Sequence, residues 1–266
     1  MIESPSIEST ARRFGGLARL YGTLGAEKIR AAHVVVVGVG GVGSWAAEAL
    51  GRSGVGRLTL IDLDHISESN INRQIHALDT TFGQAKVQAM RERIAHINPD
   101  CEVRCVEEFV DATNWPAIAG LSLSDAASDG VIDACDQVRA KTAMAAWSLK
   151  HRARFISVGA AGGKRQAHKV EIDDLSLSTH DPLLAQLRYR LRKEYSAPRN
   201  SRIGVACVFS REPVMQAIVH QDDVVGQPTE GQIDNSLNCH GYGSVVSVTS
   251  TFGMCAAGWM LDCIVS

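Results

Sequence analysis

Four consecutive valines, Val34, Val35, Val36 and Val37, run into Gly38, and this apolar block sets the pattern for the chain. β-branched residues without polar alternation read as a strand buried on both faces, as in a parallel sheet. Similar short runs at 58–62, 130–136, 155–159, 169–173 and 205–209, with an alternating one at 102–106, predict six further strands. Helical patterns fall between them, at 25–32, 44–52, 86–97, 138–150 and 183–195. The 86–97 helix is amphipathic and is stopped by Asn98 and Pro99. Strands alternating with helices predict an α/β fold with a doubly wound, mainly parallel sheet. The strands at 169–173 and 205–209 are expected to extend it in antiparallel fashion. Residues 241–261 carry no charge over about the length that a bilayer span needs. Gly, Ser and Thr are frequent there and no basic flank fixes an orientation, so a helix in the core or at a homodimer face is expected, without stable membrane insertion.

The first strand is followed at once by Gly38-Val39-Gly40-Gly41-Val42-Gly43 and then by the 44–52 helix. In a Rossmann-like fold Gly38 permits the tight turn, Gly40 lets backbone approach a phosphate, and Gly43 lets the helix pack on the strand. The helix N-terminus offers free N–H groups to an anion. Asp62 ends the second strand, nineteen residues past Gly43, where a ribose hydroxyl partner belongs. Strand, glycine turn, helix and acid at the right distance together predict a nucleotide site. Gly162-Gly163-Lys164 is not a second one, because no glycine stands five before Gly163 and Arg165 replaces Ser or Thr.

After Asp62 come Asp64, Ser69, Asn70, Arg73, Gln74, Gln84 and Lys86, a density of polar groups that folding alone does not require. They follow the carboxyl end of a strand beside the phosphate turn, where ligands of open α/β sheets bind. Arg73 and Lys86 suit charge stabilisation on phosphorus, and the acids suit Mg²⁺. Asp136, at the end of the fourth strand, is placed to reach a metal-bound phosphate, to cap the 138–150 helix, or to do both. Hydride transfer would leave Arg73, Lys86 and Asp136 without a shared purpose.

Composition narrows the setting. The chain has 266 residues, 45% of them hydrophobic, and a formal net charge of −2, so no global positive field recruits nucleic acid. One domain is expected, with a nucleotide-binding half at 1–160 and a substrate- or dimer-facing half at 161–266. Its seven cysteines form no C-x-x-C pair, and no signal peptide pattern opens the chain. A reducing, cytoplasmic setting is the expectation.

The set G-x-G-G-x-G, Asp62-Leu63-Asp64, Ser69-Asn70-x-x-Arg73-Gln74, Gly83-Gln84-x-Lys86, Ile97-Asn98-Pro99 and Asp133-x-x-Asp136 resembles the ubiquitin-activating-enzyme-like superfamily. The resemblance implies adenylation of a carboxylate with ATP and Mg²⁺. It puts Gly38, Gly40, Gly41, Gly43, Asp62, Asp64, Asn70, Arg73, Gln74 and Lys86 at ATP. Asp62 falls on the ribose, Asn70, Arg73 and Lys86 on the triphosphate and Asp136 on the metal, with Arg73, Lys86 and Asp136 as the catalytic groups. Within that superfamily Arg13-Phe14-Gly15-Gly16, Leu20-Tyr21-Gly22, the 43–50 segment and Asn72-Arg73-Gln74-Ile75-His76-Ala77-Leu78 look like the branch of tRNA threonylcarbamoyladenosine dehydratases. The paired zinc cysteines of the sulfur-carrier activators are absent. So is the arginine that reaches into the partner subunit, since Gly16 stands in its place. Arg13 and Arg19 are the candidates to replace it, although by pattern alone both read as surface charge.

The resemblance implies a homodimer acting on a tRNA that carries N6-threonylcarbamoyladenosine, with activation of a ubiquitin-like sulfur carrier as the alternative. A cysteine desulfurase or sulfur acceptor is a further candidate partner. Arg188, Arg190, Arg192 and Lys193, with Lys150, Arg152, Arg154, Lys164 and Arg165, offer either a local RNA-binding patch or a solvated face. Residues 221–239 read as a loop long enough to cover a site. Cys239, beside His240 and ahead of the apolar run, is the candidate reactive thiol.

Overall fold

The structure, a computed structural model, describes residues 7–121, 129–215 and 242–266. In chain order the elements are α1 (Ile7–Ala31), β1 (His33–Val37), α2 (Gly43–Arg52), β2 (Arg57–Ile61), α3 (Lys86–Ile97), β3 (Glu102–Val106) and β4 (Asp129–Asp133). α4 (Val138–His151), β5 (Arg154–Val158), β6 (Val170–Asp174), α5 (Pro182–Glu194), β7 (Ala206–Ser210) and α6 (Val246–Val265) follow. The seven strands form one sheet in the order β3-β2-β1-β4-β5-β7-β6. Every pairing is parallel except β6 with β7. Of the two strands expected to run antiparallel, β7 therefore pairs parallel with β5, and only β6 reverses direction.

The valine run explains why helices cover both faces. Side chains alternate along a strand, so Val34 and Val36 enter one core with Ala46, Leu50, Met90 and Phe252. Val35 and Val37 enter another, with Trp115, Met144, Leu184 and Leu187. α2, α3 and α6 thus lie over one face, and α4 and α5 over the other.

Two boundaries depart from expectation. The N-terminal helix begins at Ile7 rather than near Gly25, and is broken at Gly22 (φ 76°, ψ 166°). Gly15, Gly16 and Gly22 lower its intrinsic helicity; packing against α6 supplies the rest. The C-terminal helix starts at Val246, after non-helical 242–245. It is long and apolar enough to cross a membrane, with half of it buried. Val248, Phe252, Ala256, Ala257, Met260 and Ile264 form its buried face. Gly253 faces α2 so closely that a Cβ there would lie 2.5 Å from the Val42 carbonyl oxygen.

Candidate active site

The strand order reverses between β1 and β4, and the chain leaves those two strands in opposite directions. Such a switch point opens a crevice at the carboxyl ends of the strands. Here it is a cleft of about 620 Å³ that reaches from the glycine turn to Gly159–Gly162 and the start of α5. Two glycines make the turn possible. Gly38 has φ +83°, and a Cβ on it would meet Ala134 and Cys135 backbone at 2.8 Å. A Cβ on Gly43 would overlap the Gly38 carbonyl oxygen. Gly40 and Gly41 line the cleft beside them.

Asp62 fixes the turn from the end of β2. Its Oδ2 accepts the Val39 N–H at 2.6 Å, and its Oδ1 accepts the Asp64 N–H at 2.9 Å. Burial raises its pKa, opposed by Lys86 and by these N–H groups. Asp64 is exposed and takes the Lys86 ammonium at 2.6 Å, while the Lys86 stem is buried at the start of α3. Asn70 closes a 3-10 turn, its Oδ1 accepting the Ser67 N–H at 3.1 Å. Gln74 is buried against the glycine turn, and its Oε1 has no partner among the described residues.

Arg73 is held at one end only. Its Nη1 donates to the Ser69 carbonyl at 2.7 Å and to Asn72 Oδ1 at 2.9 Å. Nε and Nη2 have no protein partner among the described residues, which leaves an N–H edge for an anion. Asp136 also lines the cleft. The cap of α4 is Gln137, with no side-chain cap bond, so the helix-cap role expected for Asp136 is not found. Burial raises the Asp136 pKa; Asp64 adds to this, and Lys141 and Lys86 oppose it. The Asp64–Lys86 pair thus lies near enough for its charges to be felt at Asp136.

Several groups here were not foreseen. Lys141 is fully buried and donates to Asp133 Oδ2 at 3.1 Å and to the Val158 carbonyl at 2.7 Å. Burial, the largest single effect, pulls its pKa down, but the charge and hydrogen bond of Asp133 together with Cys135 and Cys207 turn the net shift upward. Ser157 adds a 2.7 Å bond to Asp133, so the pair fastens β4, β5 and α4 beneath the cleft. Asp181 caps α5 through the Leu184 N–H at 2.9 Å and takes the Ala160 N–H at 2.9 Å, setting the loop after β5. Lys141 shares the buried side of α4 with Met144, Ala145 and Ser148. A lysine in register with apolar positions was the available signal.

Other candidates lie elsewhere. Arg13 donates to the Ile97 carbonyl at 3.0 Å, at the end of α3 in its own chain, and Arg19 is exposed on α1; neither lines the cleft. Lys164 is buried and donates to the carbonyls of His180 and Glu212, an anchoring role consistent with its failure to fit a phosphate loop. Within the basic run, Arg188 donates to the Leu175 and Ser178 carbonyls, and Arg192 to those of Pro198 and Arg199. Tyr189 and Lys193 remain exposed on α5, as does Tyr195 just past its end. Cys239 and the 221–239 loop lie outside the described residues. The other six cysteines are free, and burial raises each thiol, Cys101 to about 12.

Residues 14–265 match the ThiF family. The tRNA threonylcarbamoyladenosine dehydratase of Escherichia coli is 41% identical over 255 residues, covering 94% of this chain and 92% of that protein. The enzyme of that name from Haemophilus influenzae is 38% identical, covering 96% and 94%. The crystal structure of E. coli tRNA N6-threonylcarbamoyladenosine dehydratase, TcdA, in complex with ATP superposes with a TM-score of 0.82 at 38% identity, over 98% of this chain and 97% of that one.

Proposed function

The chain belongs to the ThiF family, and from that premise we propose that it is an ATP-dependent tRNA N6-threonylcarbamoyladenosine dehydratase. One observation carries the adenylation chemistry: the open edge of Arg73, the Lys86 ammonium and the carboxylates of Asp64 and Asp136 converge on the cleft beside the glycine turn. These groups suit charge movement on a triphosphate. Likeness to the dehydratases over nearly the whole chain supports the substrate.

The threonyl carboxylate attacks the α-phosphorus of ATP, and the bond to the bridging oxygen breaks. Pyrophosphate leaves and an acyl adenylate remains. Arg73 and Lys86 stabilise the charge that builds on the departing phosphates, and Gly40 and Gly41, lining the same cleft, let backbone approach them. Asp136, with Asp64 lining the same cleft, would hold Mg²⁺ through carboxylate oxygens, and the ion would neutralise charge there. The carbamoyl oxygen or nitrogen of the same nucleoside then attacks the acyl carbon. AMP leaves, and the ring closes with net loss of water. Proximity favours this step, because both partners sit on one nucleoside.

Gly159–Gly162, Pro182, Leu183 and Tyr242 line the side of the cleft away from the phosphate turn and suit the modified nucleoside. α5 starts at that rim and is about 20 Å long, so its exposed Tyr189 and Lys193, with Tyr195 just past its end, suit contact with the tRNA stem. Exposed Leu20 and Leu24 on α1, with Met254 on α6, support a homodimer. Six free cysteines support a cytoplasmic setting, and the raised thiols among them give no support to a sulfur-acceptor partner.

The test is incubation with ATP, Mg²⁺ and tRNA bearing N6-threonylcarbamoyladenosine, followed by nucleoside mass analysis. The expected result is a nucleoside lighter by one water, with AMP and pyrophosphate formed in proportion. AMP formation that requires a small carrier protein instead of tRNA would overturn the reading.

A further inference from the structure

Asn72 occupies a place that the adenylation reading leaves unused. Its side-chain Nδ2 donates to the Ser244 carbonyl at 3.0 Å, and its Oδ1 accepts from Arg73 Nη1 at 2.9 Å. These partners fix which way the amide points. Turned over, it would set NH₂ against the guanidinium and oxygen against a carbonyl. The Asn72 backbone belongs to the segment that carries Asn70 and Arg73. Ser244 belongs to a separate stretch, 242–245, in which the Gly243 carbonyl accepts the Gly163 N–H at 2.8 Å. Tyr242 and Ser244 both line the cleft. One exposed amide thus joins Arg73 to the 242–244 stretch, which is itself bonded to Gly163.

We infer that Asn72 is a positioning residue for the adenylation step: it holds the guanidinium of Arg73 so that Nε and Nη2 face the triphosphate, and ties that orientation to residues 242–244. Both Asn72 and Ser69 bind Nη1, so the opposite edge of the guanidinium stays open. A free arginine side chain carries considerable rotamer entropy, and two anchors on one nitrogen remove much of it before ATP arrives. Asn72 touches neither phosphate nor the reacting carboxylate in this scheme and acts through Arg73. The inference rests on the reading of Arg73 as a triphosphate group.

The experiment is a double-mutant cycle over Asn72→Ala and Arg73→Ala, with AMP release measured using ATP and tRNA bearing N6-threonylcarbamoyladenosine. Asn72→Ala is expected to lower kcat about 10- to 100-fold, the scale on which misplacement of a catalytic group acts, with little change in melting temperature. In the Arg73→Ala background the same change is expected to have no further effect, because its route of action is gone. Asn72→Asp, nearly isosteric, sets a carboxylate against Arg73 in competition with phosphate, and is expected to raise the KM for ATP. Equal losses from Asn72→Ala in both backgrounds, or unchanged kcat with Arg73 intact, would overturn the inference. An Arg73→Ala protein with normal AMP release would instead bring down the underlying reading of Arg73.

Discussion

At the scale of single residues, Arg73 and Lys86 carry the sharpest expectation. Arg73→Ala or Lys86→Ala should lower turnover by about 10²-fold or more, the loss seen when a preorganised charge is removed from a transition state. Turnover in AMP release checks it, with a melting curve to show that the fold remains. Near-normal turnover in either variant would remove that side chain from the chemistry. A second expectation concerns His76, which is buried with both ring nitrogens unpartnered among the described residues. Burial, helped by Lys86 and Arg93, lowers its pKa from 6.5 to about 4. Its neutral form is the folded form, so its contribution is intact above pH 6.5 and is lost as pH falls from 6.5 towards 4. The loss amounts to roughly 3 kcal/mol at the acid end. Urea midpoints of wild type and His76→Phe should converge across that window; parallel pH slopes would refute the assignment. The polar groups from Asp62 to Lys86 were legible because they crowd one strand end with charge that folding does not need. Lys141, Asp181 and Asn72 were not, because their purpose depends on partners such as Asp133, Ala160 and Ser244, which only the fold brings near. Arg188 and Arg192 show the converse: a charge run in sequence became ties to carbonyls in three dimensions.

Among the elements, local pattern gave away the helix at Lys86–Ile97, which needed only an amphipathic run and the Asn98-Pro99 stop. The glycine turn was legible for the same local reason. Direction was not: a strand of apolar residues looks the same in either sense, and β7 pairs parallel with β5 because of the path between them. Helix α1 was under-read because its glycines argue locally against a helix that tertiary packing nonetheless holds. The crossing of α2 with α6 shows how such packing reaches the site, since Val42, next to Gly253, belongs to the phosphate turn. Gly253→Leu must push α6 off that turn, because its Cβ alone would lie 2.5 Å from the Val42 oxygen and 2.9 Å from the Ala46 nitrogen. The expected outcome is a loss of about 1–3 kcal/mol or more in stability, with a raised KM for ATP. Thermal melting and ATP titration check both, and an unshifted melting temperature would show that the two helices part without cost.

For the whole molecule, the decisive question is what α6 does with twenty residues apolar enough to cross a bilayer. A spanning helix presents apolar residues all around its circumference. α6 instead sets Phe252, Ala256, Met260 and Ile264 into the core over the sheet, with Ser247, Thr251 and Asp262 not among its buried positions. Its end is tied to α1, where the Lys28 ammonium donates to the Val265 carbonyl at 2.7 Å. Moving α6 into lipid would uncover the face of the sheet formed by Val34 and Val36, and each large side chain left exposed costs about 1.5–3 kcal/mol. It would also separate Gly253 from the phosphate turn, against which it packs at Val42. The expressed protein should therefore remain in the supernatant after high-speed centrifugation without detergent, and that fraction should bind ATP. Recovery of ATP-binding protein only from the membrane pellet would mean that α6 leaves the core while the site survives, against the packing described above.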